Sequence, residues 1–71
     1  SSIFVTEEYR GHRISERLIE AANQYAKSLG FKETYIPSEH IGLYEKYGYR
    51  YVKDIVNYGN GIDRLYVKQL N

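Results

Sequence analysis

EEYRGHRISERL, residues 7–18, is the point at which the chain changes its periodicity. Before it, Ile3, Phe4 and Val5 read as the end of a short β-strand. After it, Ile14, Leu18, Ala22, Tyr25 and Leu29 recur at helical spacing, and Ala21 and Ala26 widen the apolar face. Arg13, Arg17, Glu20, Gln24 and Lys27 fall largely off that face. The stretch is therefore a strand-to-helix junction, and Arg10, Gly11, His12 and Arg13 are its densest run of basic groups.

The remaining elements follow outward from the junction. Gly30 is placed to stop the helix as its C′ residue, with Lys27 complementing the negative end of the dipole. Residues 31–36 read as a strand closed by the one proline, Pro37. Ser38 is a candidate N-cap for a second helix over 39–47, which Gly48 ends. Residues 49–58 and 62–70 are rich in Tyr, Val and Ile, and Gly59-Asn60-Gly61 between them signals a hairpin. The order β-α-β-α-β-β predicts one α/β unit, or α+β with a mixed sheet, spanning residues 1–71. Its first two strands should be parallel with a right-handed crossover, and its last two antiparallel.

Composition sets limits. A chain of 71 residues is one small domain at most, and at that size only roughly 60% of the unfolded surface is buried. Ten Lys and Arg against nine Asp and Glu give a net charge of +1, which argues against nucleic acid and anionic membranes as partners. The chain has no Cys, no run of spanning length and no signal-peptide pattern, so the expected location is cytoplasmic. His12 and His40 lack ligand-like spacing, and no metal site is expected.

A helix N-terminus leaves backbone N–H groups unpaired and carries about half a positive charge. A phosphate or diphosphate binds readily there, and Gly11 would allow close approach of the backbone while Arg10 and Arg13 add charge. A solvated basic turn, with Arg13 paired to Glu16 or Arg17 to Glu20, fits the segment equally well.

Two stretches together narrow this choice. YRGHRIS (9–15) followed by the amphipathic helix, and GLYEKYGY (42–49) after the next strand, resemble the GNAT superfamily of N-acetyltransferases. That family carries an acetyl-CoA loop of the form Arg/Gln-x-x-Gly-x-Gly/Ala after its fourth strand. Arg10 takes the first position, Arg13 the glycine position and Ser15 the last, while Gly11 and Ile14 match the common RG-x-G-I form. Leu43-Tyr44-Glu45-Lys46-Tyr47-Gly48-Tyr49 matches the family's LYEKxGF context, with Tyr49 in place of Phe. Arg13 adds a side chain where Gly is usual, and its guanidinium can either crowd a diphosphate or bind it.

The resemblance covers residues 3–70 and corresponds to the cofactor-binding half of the family fold, from the fourth strand onward. It implies acetyl-CoA as co-substrate, with no metal, and a small-molecule or peptide amine as acceptor. Backbone groups around Phe4 and Val5 would pair with the pantetheine amides. Arg10, Gly11, His12, Arg13, Ile14 and Ser15 would hold the diphosphate. Tyr44, a phenol with an ordinary pKa of ~10, would protonate the leaving thiolate. The half that shapes the acceptor pocket in the family is not in this chain. A homo-oligomer or a complementing N-terminal segment is therefore expected along the edge at Ile3 and Val5.

Other residues have plainer expectations. Tyr25 belongs to the helix core face, and Tyr47, Tyr49, Tyr51, Tyr58 and Tyr66 are amphipathic strand and helix-end residues. Without the resemblance, Tyr44 itself reads as packing. The alternative function is a catalytically inactive module that binds CoA or another diphosphate.

Overall fold

The computed structural model describes residues 2–5 and 16–70. Strand β1 (Ser2–Phe4) leads to helix α1 (Glu16–Ser28), then β2 (Glu33–Ser38), a single 3-10 turn (Tyr44–Tyr47), β3 (Arg50–Val56) and β4 (Ile62–Gln69). The four strands form one mixed sheet in the order β1-β2-β4-β3. β1 runs parallel to β2, with Phe4 beside Tyr35, and the other two pairings are antiparallel. The fold is α+β, as its alternating pattern predicts.

α1 begins with Glu16 in its first turn and ends with Lys27 in its last, each favourable to the dipole. It closes as a Schellman motif. Gly30 adopts φ +89°, its N–H donates to the Lys27 carbonyl at 3.0 Å, and the Phe31 N–H reaches the Ala26 carbonyl at 3.1 Å.

The face that α1 buries differs from the one its apolar spacing predicts. Ile19 (2% exposed), Asn23 (7%) and Ala26 (3%) face the sheet, whereas Leu18 (63%), Tyr25 (68%) and Leu29 (56%) face outward. Tyr25 is therefore not a core residue. The cause is polar. Asn23 Oδ1 accepts from the Thr34 hydroxyl at 2.8 Å and the Tyr49 hydroxyl at 3.1 Å, and both partners are buried. A hydrogen-bonded asparagine occupies a core position that hydrophobic periodicity assigns to solvent.

The second helix is also shorter than predicted. Gly42 has φ +90°, which no helix accommodates, so residues 39–43 form a loop and only one 3-10 turn follows. Ser38 is the last residue of β2, opposite Arg64, and its Oγ accepts the His40 N–H at 3.1 Å in a local turn rather than capping a helix. Glu45 Oε1 takes the Gly42 N–H at 3.0 Å, and Gly48, at φ +89°, ends the turn. β2 does not stop before Pro37 but passes through it, with Pro37 opposite Leu65.

The hairpin between β3 and β4 is organised by Asn57. Its side-chain oxygen accepts the N–H groups of Gly59 (2.9 Å) and Gly61 (3.0 Å), its Nδ2 donates to Asp63, and Asn60 supplies a positive φ of 62°. The core lies on the α1 side of the sheet and consists of Ile19, Ile36, Tyr44, Tyr49 and Tyr66, with Val5, Leu43 and Tyr47 packed against it.

Candidate active site

Two residues that lie far apart in sequence, Val5 and Tyr44, join one cluster at the carboxyl ends of the parallel strands. Val5 leaves β1 there, and its N–H donates to the Tyr35 carbonyl at 2.7 Å. Its side chain packs on the cluster that contains Tyr44. Ligands in parallel-sheet proteins bind beside such strand ends. Phe4, one residue earlier, points to the other side of the strand and stacks on Tyr35 with ring centroids 5.2 Å apart.

Tyr44 is fully buried. Its ring is surrounded by those of Tyr66 (5.6 Å), Tyr49 (6.0 Å), Tyr47 (6.4 Å) and His40 (6.4 Å). The 3-10 turn places it there. Gly48 turns the chain back, so the Tyr49 N–H donates to the Tyr44 carbonyl at 3.1 Å and both rings enter the core. Tyr49 and Tyr66, expected as amphipathic strand residues, are core residues instead. His40 is exposed as expected, but on a loop rather than a helix. Arg10, Gly11, His12, Arg13, Ile14 and Ser15 lie outside the described residues.

A polar chain fixes the loop that precedes Tyr44. The Tyr66 hydroxyl donates to the His40 carbonyl, and Arg64 Nε donates to the Tyr66 oxygen at 2.8 Å. The Arg64 guanidinium lies over the Tyr51 ring, 4.0 Å from its centroid. Hydrogen bonding to Tyr66 raises the Arg64 pKa above its ordinary value. Donation to Asp54, at 3.0 Å, raises the Tyr51 phenol above the usual 10, and partial loss of water raises Tyr35. Nothing in the hydrophobic pattern marks Arg64 or Asn23.

Among the described residues, no group of three His, Cys, Asp or Glu could hold a metal ion. No helix there is long and apolar enough to cross a membrane.

No curated protein and no solved structure matches the chain. The profile of the acetyltransferase (GNAT) domain family matches residues 1–51, a segment that carries both Val5 and Tyr44. The chain belongs to the GNAT acetyltransferase family.

Proposed function

We propose that this chain is the acetyl-CoA-binding part of an N-acetyltransferase that acylates a primary amine. The observation that carries the reading is that Val5 and Tyr44 share one cluster at the carboxyl end of the parallel strand pair. In this reading the backbone around Phe4 and Val5 holds the pantetheine amides, chiefly through the Val5 carbonyl, because the Val5 N–H is already donated to Tyr35. The segment 10–15 holds the diphosphate, with Arg10 and Arg13 assisting the backbone.

The neutral amine attacks the thioester carbon, so a C–N bond forms and the C–S bond breaks. Tyr44 gives its hydroxyl proton to the departing sulfur, and the proton lost by the amine returns through solvent. The chemistry needs no metal. The acceptor is a small molecule or peptide bearing an amine, and a further strand-bearing partner covers the outer edge of β1. The expected setting is cytoplasmic.

A second reading is favoured by one observation. Tyr44 is wholly enclosed by other rings, as a packing residue would be. On that reading the chain binds CoA and transfers nothing.

Release of free thiol from acetyl-CoA, measured against a panel of amines and peptides, separates the two. Transfer is expected to require an amine and to fall in Tyr44→Phe, with acetyl-CoA affinity and unfolding midpoint retained. Acetyl-CoA binding with no amine-dependent thiol release would establish the second reading. Absence of binding would overturn both.

A further inference from the structure

The seam between β1 and β2 ends at a residue that cannot continue it. The Val5 N–H donates to the Tyr35 carbonyl. In an extended strand the polar groups of alternate residues face the same neighbour. Glu33, Tyr35 and residue 37 therefore face β1, while Thr34, Ile36 and Ser38 face β4. The next ladder bond would run from the N–H of residue 37 to the Val5 carbonyl. Residue 37 is proline, which has no N–H and carries ring carbons where the hydrogen would be.

The phase of this proline matters. Its missing donor falls wholly on the β1 side, so pairing with β4 continues through Pro37 opposite Leu65 to Ser38 opposite Arg64. A proline at position 36 would break the central β2–β4 ladder instead. Pro37 thus withholds a ladder donor from one seam and leaves the other ladder intact. The missing bond lies where Val5 packs against the cluster of Ile36 and Tyr44.

We propose that Pro37 is a positioning residue, whose missing N–H keeps the seam open and reserves the Val5 carbonyl for an amide N–H of an extended ligand. This rests on the proposed function, in which that ligand is the pantetheine arm of acetyl-CoA. The ligand enters as a partial strand, and the carbonyl that an ordinary residue at position 37 would occupy becomes its anchor.

The test compares full-length chains made by chemical ligation, with Pro37→Ala and with N-methylalanine at position 37. Alanine supplies the N–H that closes the seam, and N-methylalanine removes it again without the ring. Acetyl-CoA affinity is expected to fall about tenfold or more in Pro37→Ala, the scale of one lost hydrogen bond. It should recover with N-methylalanine. The new amide of Pro37→Ala should exchange slowly with solvent, and its unfolding midpoint should not fall. Parental affinity in Pro37→Ala, a fast-exchanging amide at position 37, or no recovery with N-methylalanine would each overturn the proposal. If the parent chain itself does not bind acetyl-CoA, the ligand assignment falls together with the proposed function. The amide exchange rate then still decides whether Pro37 opens the seam.

Discussion

Thr34 on β2 donates its hydroxyl to Asn23 on α1 at 2.8 Å, and the Tyr49 hydroxyl lies 2.9 Å from the same Thr34 oxygen. All three side chains are buried, so the helix is held to the sheet by polar groups where an apolar contact is usual. The Asn23 Nδ2 finds no partner. The triangle therefore fixes the rotation of α1 at the cost of one buried donor left unsatisfied.

Thr34→Val keeps the shape and removes the hydroxyl. It should destabilise the fold by about 1–3 kcal/mol, because Asn23 loses an acceptor bond in a buried site. For a domain of this size each kcal/mol lowers the unfolding midpoint by roughly 4–8 °C. Thermal unfolding followed by circular dichroism reads the difference. An unchanged midpoint would mean that the triangle does not hold the helix.

Asn57→Ala removes both side-chain acceptor bonds that shape the hairpin loop, and with them the donor to Asp63. A loss of about 1–2 kcal/mol is expected, close to that of a helix-cap deletion. Gly59→Ala, where the nearest atom to an added Cβ is Asn57 Oδ1 at 3.5 Å, should cost less. Equal effects would show that the loop depends on its glycines rather than on Asn57.

Tyr51 supplies a pH dependence with a defined sign. Its phenol titrates above the ordinary value because it donates to Asp54. A group whose pKa is raised on folding contributes its stability fully below the unfolded value of about 10, and loses it as pH rises through the folded value. The stability difference between the parent and Tyr51→Phe should therefore be constant through neutral pH and shrink above pH ~10. Urea unfolding across that range measures it. A difference that grows with pH would contradict the assignment.

The two edges of the sheet differ. β3 carries Arg50, Lys53 and Asp54 and a register irregularity between Tyr51 and Lys53, all features that discourage pairing. β1 carries Ser2, Ile3 and Phe4 and none of those features. Association through β1, with a second copy or a separate strand, is expected by light scattering at low micromolar concentration. Phe4→Pro should abolish it, since the Phe4 N–H points away from β2. A parent chain that stays monomeric would remove this edge as a docking surface.

Much of the architecture is legible in the sequence because it depends on local signals. Gly30 and Gly48 stop their elements where expected, Gly59-Asn60-Gly61 lies in a hairpin, and the strand-helix-strand order yields a parallel pair. The rotation of α1 was not legible. The stripe of Leu18, Tyr25 and Leu29 and the stripe of Ile19, Asn23 and Ala26 share one period, and the bonds of Asn23 to Thr34 and Tyr49, with the packing of Ile19, choose between them. The short turn before Tyr44 depends on the positive φ of Gly42, which glycine permits but does not announce. Tyr44 and Val5 were legible as separate candidates. Their membership of one cluster, with Ile36 and Tyr66, depends on pairings between distant strands.

In the proposed function acetyl-CoA enters at the carboxyl end of the β1–β2 seam, and the amide spectrum of the chain titrated with acetyl-CoA reports that entry residue by residue. Saturable shifts are predicted at Val5, Tyr35 and Ile36 and within residues 10–15, with Lys27, Lys68 and Gln69 unmoved. No saturable shift would contradict the claim. So would shifts confined to the opposite end of the sheet, in the cleft lined by Glu20, Asn23, Lys27 and Lys68.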